Sequence, residues 1–263
     1  MPSSALKGAP YYKEQFDECA VFELAHRRRL PLMLKGPTGC GKTRFIEAMA
    51  HRLGRELITV ACNDDTSATD LLGRFLVKGG DTVWQDGPVT RAVRRGAILY
   101  LDEIAEARED VVVVLHPLTD HRRELHVDRI NETLSAPNEF MVVVSFNPGY
   151  RRGFRELKAS TRQRFLGIDF GYPNEAVELE IVVNESGVEG ATAKKLVTLA
   201  TKIRALDELN LTETVSTRLL VQTATLIAEG MAPRRACQVG LVAPLTDDAL
   251  LSQALKDVVA FAF

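Results

Sequence analysis

Five short runs of apolar residues, rich in Val, Ile, Leu and Phe, are separated along the chain by longer helical or loop segments. This spacing is typical of buried parallel strands joined by crossover connections. The runs are 30–34, 57–61, 97–101, 140–146 and 165–170. The pattern predicts an α/β fold, a three-layer sandwich around a parallel sheet, with ligands at the carboxyl ends of the strands.

The second half of the chain has a different hydrophobic pattern. After residues 170–175 the strand-like runs stop, and apolar residues recur every three or four positions in the segments 191–209 and 215–230. This period predicts helices. We therefore predict two domains, an α/β nucleotide-binding domain over 1–172 and a small all-helical lid domain over 173–263.

Two intervals within the first domain are too long to be simple connections. Residues 73–88 and 122–140 each alternate apolar and polar positions around a turn, a pattern that predicts inserted β-hairpins. Surface hairpins without a function would have the same pattern.

Composition and charge limit the possible partners. The 263 residues are 46% hydrophobic and 26% charged, and their formal net charge is −2. No global basic field is available to hold a nucleic acid or an anionic membrane, so we expect neither as a partner. Without a signal-peptide pattern or a long apolar segment, we expect a cytoplasmic protein with no membrane insertion.

The segment GPTGCGKT at 36–43 follows an apolar run and precedes a helical pattern, as the phosphate-binding loop motif requires. Its glycines let backbone N–H groups surround phosphate oxygens, while Lys42 should reach the β and γ phosphates. Thr43 should ligate Mg²⁺, so ATP and Mg²⁺ are the expected cofactors. The predicted nucleotide-binding positions are Gly36, Pro37, Thr38, Gly39, Cys40, Gly41, Lys42, Thr43 and Asp102.

The run at 97–101 leads directly into two carboxylates, Asp102 and Glu103. A buried strand that ends in this way brings acidic groups to the sheet edge beside the phosphate loop. Asp102 is expected to hold the metal with Thr43, and Glu103 to act as general base on the attacking water. The other interpretation of Glu103 is a carboxylate at a helix N-terminus.

Four further polar residues are candidates for catalysis. Asn147 ends the fourth run, where an amide could orient water or, alternatively, only form a turn before Pro148. Arg162 and Arg164 precede the fifth run and could reach a neighbouring subunit's ATP, or form a solvated basic turn. Arg218 begins a predicted helix and could contact the phosphates.

With these motifs in this order, the chain resembles an AAA+ ATPase. The insertion at 73–88 and the hairpin at 122–140 are similar to those of the MoxR group. The strings LPLMLKGPTGCGKTRFIE, VWQDGPVTRAVRRGAILYLDEI, SFNPGY and LKASTRQRF resemble the CbbQ/NirQ/NorQ family over roughly residues 11–235.

The resemblance implies a homo-hexameric ring that acts on a client protein with a von Willebrand factor A-type adaptor, similar to CbbO. CbbQ-type members activate Rubisco by removing inhibitory sugar phosphates, and NorQ- and NirQ-type members help to activate nitric oxide reductase. We favour Rubisco as the client. The inserted hairpins would then present Phe75, Trp84 and Leu125 to that client as exposed residues.

Three other classes of function use the same loop. A small-molecule kinase would work as a monomer, a nucleic-acid translocase would carry a basic stripe, and a protein with structural ATP would need no general base. An intact Glu103 and a nearly balanced charge make the protein-remodelling ATPase the preferred hypothesis.

Overall fold

The computed structural model describes residues 9–148, 157–206 and 214–263. The described residues group into two compact units. One contains residues 9–10, 16–36 and 42–169, and the other contains residues 11–15, 37–41 and 170–263. Each unit has its own hydrophobic core.

The first unit is built on a parallel sheet. Within the described residues the sheet has five strands in the order β2-β5-β8-β1-β9. They are β1 (Leu32–Lys35), β2 (Leu57–Ala61), β5 (Ile98–Asp102), β8 (Met141–Phe146) and β9 (Leu166–Asp169). Because all five run in the same direction, their carboxyl ends share one edge.

The described part of the first unit has six α-helices. They are α1 (Glu18–Arg28), α2 (Lys42–Arg52), α3 (Ala68–Leu72), α4 (Pro88–Arg95), α5 (Glu109–Leu115) and α6 (Ala159–Arg162). Helix α3 begins with a capping box between Ser67 and Asp70. Helix α4 has Pro88 at its first turn and ends at Gly96 in the left-handed conformation.

The central strands are the most buried part of the sheet. All six residues of β8 are buried, and so are the first four residues of β5. Such continuous apolar strands are expected where helices cover both faces of a parallel sheet.

The interval 73–88 contains an antiparallel hairpin of β3 (Gly73–Lys78) and β4 (Asp81–Asp86). Its base is closely packed, because a Cβ on Gly87 would lie 2.3 Å from the Leu71 carbonyl oxygen. The Gly87 N–H donates to the Leu72 carbonyl at 2.9 Å. Only a glycine fits at this position.

The interval 122–140 contains the strands β6 (Glu124–Val127) and β7 (Glu132–Ser135), which also pair antiparallel. The expectation that Leu125 is exposed is wrong, because this side chain is 0% exposed and belongs to the core of the first unit. Side chains alternate along a strand, and the face of β6 that carries Leu125 and Val127 packs inward. Trp84, also expected to be exposed, is half-buried.

One arginine of α4 joins the two hairpins. Arg94 Nε donates to Asp86 Oδ2 at 2.9 Å, and Arg94 Nη1 donates to Glu132 Oε1 at 2.9 Å. The first carboxylate ends β4 and the second begins β7. Both hairpins are thus anchored to the same helix.

The second unit is helical in its described part. Its helices are α7 (Glu175–Ser186), α8 (Gly190–Arg204), α9 (Thr217–Ala228), α10 (Pro233–Cys237), α11 (Ala243–Leu245) and α12 (Ala249–Ala262). A π-helical turn, Gln238–Val242, connects α10 to α11. Helices α7, α9 and α12 begin after Asn174, Ser216 and Asp248, whose side chains accept backbone N–H groups of the first turn.

The predicted fold class is confirmed by this architecture, since a parallel sheet with surrounding helices precedes a helical C-terminal region. No helix within the described residues has both the length and the apolar character needed to cross a bilayer.

Replacement of Leu99 by Ala should lower the free energy of unfolding of the first unit by about 2–5 kcal/mol, because Leu99 is 0% exposed on a central strand. The only tryptophan of the sequence, Trp84, packs against the same core, so its fluorescence in a urea titration reports this loss. Leu166→Ala on the edge strand, 44% exposed, is the matched control. Equal shifts for both variants would contradict this assignment of the core.

Candidate functional site

The phosphate loop leaves the sheet at the end of β1, a central strand flanked by β8 and β9. The Gly36 N–H donates to the Phe146 carbonyl of the neighbouring strand at 3.3 Å. The loop then leads into α2, whose first residue is Lys42. The first turn of a helix directs backbone N–H groups and the positive end of the helix dipole toward this edge of the sheet, and both favour anions.

Glycine is required at two positions of the loop. Gly39 and Gly41 have φ angles of 71° and 101°, in the left-handed region that other residues rarely adopt. A Cβ on Gly39 would also lie 2.7 Å from the Ser216 side chain. Lys42 Nζ donates to the Gly36 carbonyl at 2.8 Å, which brings the ammonium group back to the start of the loop.

Asp102 ends β5, next to β8, and its two carboxylate oxygens have different surroundings. Oδ1 accepts hydrogen bonds from the Tyr100 hydroxyl at 2.7 Å and from the Ser145 hydroxyl. Oδ2 lies 3.4 Å from Thr43 Oγ1. The two hydroxyl donors therefore fix the carboxylate in an orientation that presents its other oxygen to Thr43.

Glu103 has a strained backbone. Its φ and ψ angles are 55° and 45°, the left-handed conformation that costs a non-glycine residue about 1–3 kcal/mol. The Glu103 N–H donates to Ser145 Oγ at 3.1 Å, so the same serine holds both consecutive acidic residues. The Glu103 side chain is exposed. Strain of this kind is common where a side chain is aimed at a reacting group.

The oxygen donors at this edge of the sheet suit a magnesium ion. Thr43 offers a hydroxyl and Asp102 a carboxylate, and Mg²⁺ commonly takes one or two such protein ligands together with water and substrate phosphates. Across 9–148, 157–206 and 214–263, no group of three His, Cys, Asp or Glu residues is placed to hold a metal. The donor set therefore fits a metal that is held jointly with a phosphorylated ligand.

Sequence reasoning missed Tyr100 and Ser145. Tyr100 is 0% exposed and its burial raises the pKa of its hydroxyl, which therefore stays protonated and donates to Asp102. Two signals could have identified these residues. Tyr100 lies two positions before Asp102 on a strand, hence on the same face, and Ser145 is the one polar residue in an apolar run.

A buried thiol lies close to the two acidic residues. Burial, and then the charges of Asp102 and Glu103, raise the pKa of Cys62 to about 12. The Cys62 N–H also donates to the Asp102 carbonyl at 2.9 Å. Cys62 thus remains a neutral thiol in the core of the first unit.

The structure places Asn147 directly after β8, one strand away from both Gly36 and Asp102. It is half-buried. Its position at the carboxyl edge is therefore shared with the phosphate loop, Asp102 and Glu103.

The two arginines that could reach a neighbouring subunit's ATP, Arg162 and Arg164, differ in their surroundings. Arg162, the last residue of α6, is exposed and has no ion pair with any residue in the described ranges. Arg164 is half-buried, and its Nη1 lies 3.4 Å from Asp120 Oδ2. Asp120 is also bound by Arg122 at 2.6 Å, and this hydrogen bond lowers the pKa of the aspartate.

Arg218 lies in the second unit, in the first turn of α9, and is exposed. A Cβ on Gly39 would lie 3.3 Å from the Arg218 Cβ, so the start of α9 packs directly against this part of the phosphate loop.

The chain matches two protein families. Residues 31–165 match the AAA domain (dynein-related subfamily), and residues 178–262 match the CbbQ/NirQ/NorQ C-terminal family. The first match covers the phosphate loop, Asp102, Glu103, Arg162 and Arg164. The second match covers Arg218.

Several relatives are similar over nearly the full length. The chain is 56% identical to Protein NorQ of Paracoccus denitrificans, with 97% of this chain and 94% of that protein covered. It is 54% identical to Protein CbbQ of Hydrogenophilus thermoluteolus, with 95% and 94% covered. It is 53% identical to the denitrification regulatory protein NirQ of Pseudomonas aeruginosa, with 95% and 96% covered.

Solved structures share the fold at low sequence identity. The crystal structure of a proposed ATPase from Cytophaga hutchinsonii has a TM-score of 0.52 at 15% identity, covering 95% of this chain and 90% of that one. A Thermotoga maritima RuvB mutant has a TM-score of 0.52 at 16% identity, covering 92% and 68%.

The fold, the phosphate loop and the AAA domain match define an ATP-hydrolysing enzyme of the AAA+ class. The C-terminal match and the three relatives are more specific. The chain belongs to the CbbQ/NirQ/NorQ family, as its sequence motifs predict.

Replacement of Glu103 by Gln should preserve nucleotide binding and lower the rate of ATP hydrolysis by about 10²–10⁴-fold, because an amide cannot accept the proton of the attacking water. Calorimetry with ATP and a phosphate-release assay measure the two effects separately. Glu106→Gln, three residues further along the chain, is the control and should hydrolyse ATP like the parent. If Glu103→Gln still hydrolyses ATP at the parent rate, Glu103 is not the general base.

Proposed function

We propose that the chain binds ATP with Mg²⁺ at residues 36–43 and hydrolyses it to drive remodelling of a client protein. The observation that carries the proposal is the fixed orientation of Asp102, with one oxygen bound by Tyr100 and Ser145 and the other directed to Thr43. A carboxylate and a hydroxyl held together beside a glycine-lined loop can share a magnesium ion with the phosphates.

In this proposal each residue of the phosphate loop has a distinct role. The backbone N–H groups of residues 36–43 donate to phosphate oxygens, and the Lys42 ammonium group balances charge on the β and γ phosphates. Thr43 and Asp102 hold the metal. When bound, the metal neutralises charge that develops on the phosphates.

The proposed catalytic residues handle the attacking water. Glu103 accepts the proton, and the strained conformation of its backbone directs its exposed carboxylate away from the core. Asn147, one strand away, orients the same water through its amide. Arg218 contacts the phosphates from the first turn of α9.

We further propose a homo-hexameric ring in which Arg162 or Arg164 reaches a neighbouring subunit's nucleotide. Arg162 is exposed and needs to break no ion pair with the described residues, whereas Arg164 would have to leave Asp120 or move with it. An arginine supplied in this way typically contributes about 10³–10⁵ in rate. Hydrolysis would then depend on assembly.

The relatives bear on the choice of client. NirQ is a denitrification regulatory protein by name. The identity of this chain to NorQ, CbbQ and NirQ is 56%, 54% and 53%, so sequence identity does not separate the three. We propose Rubisco as the client, with a CbbO-like adaptor that carries a von Willebrand factor A domain. Nitric oxide reductase is the second candidate, supported by the equally similar NorQ and NirQ.

The client is tested by reactivation. Rubisco blocked with ribulose bisphosphate should regain carboxylation when the protein, its adaptor and ATP are added together, because remodelling releases the inhibitory sugar phosphate. The Glu103→Gln variant is the control and should give no recovery. If ATPase activity is robust but carboxylation stays blocked, a parallel assay of nitric oxide consumption by the reductase tests the second candidate.

The β3–β4 hairpin has an apolar surface suited to a client. Phe75, Val77 and Val83 are 47%, 78% and 45% exposed, and the Phe75 and Trp84 rings pack edge to face at 5.1 Å. We propose that this surface contacts the client, in place of the buried Leu125.

Replacement of residues 76–83 by a short Gly-Ser turn should abolish client activation and leave the basal ATPase rate within about twofold. The expected reason is that this variant removes the exposed Val77 and Val83 but keeps Trp84 against the core and Asp86 on Arg94. Carboxylation recovery and phosphate release are measured on the same samples. If client activation persists in this variant, the hairpin does not contact the client.

A further inference from the structure

Tyr172, just after β9, contacts the phosphate loop through its hydroxyl group. The Tyr172 OH donates to the Thr38 carbonyl oxygen at 3.2 Å. Thr38 is one of the loop residues that group with the second unit. A hydrogen bond to the Thr38 carbonyl restricts rotation of the peptide group between Thr38 and Gly39. Because a peptide group is planar, the Gly39 N–H is held in orientation with that carbonyl.

The ring of Tyr172 lies against Arg204, a half-buried arginine. The Arg204 guanidinium is 4.3 Å from the ring centroid, within the range of a cation–π interaction. Arg204 binds both carboxylate oxygens of Glu178 at 2.8 Å, and its Nε donates to the Val215 carbonyl at 2.7 Å. The Glu178 side chain is 1% exposed and that of Arg204 is 15% exposed.

The ion pair extends to the start of α9. The Thr217 hydroxyl donates to Glu178 Oε1 at 2.6 Å, and Thr217 is the first residue of that helix. Its neighbour Ser216 caps the helix, and a Cβ on Gly39 would lie 2.7 Å from Ser216. The network therefore meets the phosphate loop at two points, Thr38 and Gly39.

A buried ion pair contributes little net stability on average, because desolvation of its two charges offsets their attraction. The bidentate geometry of Arg204 instead fixes direction, since a planar guanidinium bound at both nitrogens cannot rotate. The orientation of the Tyr172 ring and the position of α9 are thereby set by the same group.

We infer that Tyr172 is a positioning residue for nucleotide binding. The Arg204–Glu178–Thr217 network holds the Tyr172 ring and the start of α9, which carries Arg218, in fixed orientations. Tyr172 holds the Thr38 peptide so that the loop keeps its phosphate-binding conformation. Thr217 sets the first turn of α9, from which Arg218 projects. The inference rests on the proposed nucleotide site at residues 36–43.

Tyr172→Phe is the direct test, because it keeps the ring on Arg204 and removes only the hydroxyl. We expect the Kd for ADP, measured by calorimetry, and the KM for ATP to rise about fivefold while kcat and the melting temperature change little. Tyr11→Phe is the matched control, since the Tyr11 OH binds Glu180 at 2.8 Å in the same unit and touches no loop residue in the described contacts. Equal Kd and KM values for the two variants would overturn the inference.

Lys42→Ala separates this inference from the proposed function. If Lys42→Ala binds ADP as well as the parent, the assigned nucleotide site is wrong. If Lys42→Ala loses binding while Tyr172→Phe binds like the parent, the site stands and the positioning role fails.

Thr217 gives a second, independent measurement. Thr217→Val should lower kcat several-fold by releasing the first turn of α9 from Glu178, and Thr217→Ser, which keeps the hydroxyl, should restore it. A purely structural role would lower the melting temperature of the valine variant without this difference in kcat. If the valine and serine variants have the same kcat, the network does not position Arg218.

Discussion

Two hydroxyl groups hold one carboxylate, Asp102, at the edge of the sheet where the candidate site lies. Tyr100 and Ser145 reach Asp102 from two adjacent strands, so its position depends on the pairing of β5 with β8. The other carboxylate oxygen of Asp102 faces the Thr43 hydroxyl. The backbone N–H of the next residue, Glu103, donates to the Ser145 hydroxyl oxygen. Because this geometry comes from strand register, any change that shifts β5 against β8 would alter both acidic residues together.

Much of this arrangement follows from the sequence. The apolar runs predict all five strands of the sheet, and the phosphate loop motif identifies residues that begin at the end of β1. Asp102 was predictable because a strand ends in it. These inferences succeed because buried parallel strands need continuous apolar segments and their carboxyl ends meet at one edge.

Other features depend on tertiary structure that local patterns do not contain. Leu125 was expected to be exposed, but alternation along β6 does not reveal which face meets the core. The left-handed conformation of Glu103 gives no sequence signal, because a non-glycine residue adopts it only when its surroundings enforce it. The pairing of Arg164 with Asp120 joins residues 44 positions apart.

The glycine beneath the β3–β4 hairpin has an evolutionary consequence. Gly87 fixes where the hairpin leaves the domain, while Val77 and Val83 are substantially exposed. Substitutions at such outward positions require no repacking of the sheet, so this surface can diverge between lineages while the ATPase core is preserved. A family of one architecture could in this way acquire different targets by drift in a few side chains.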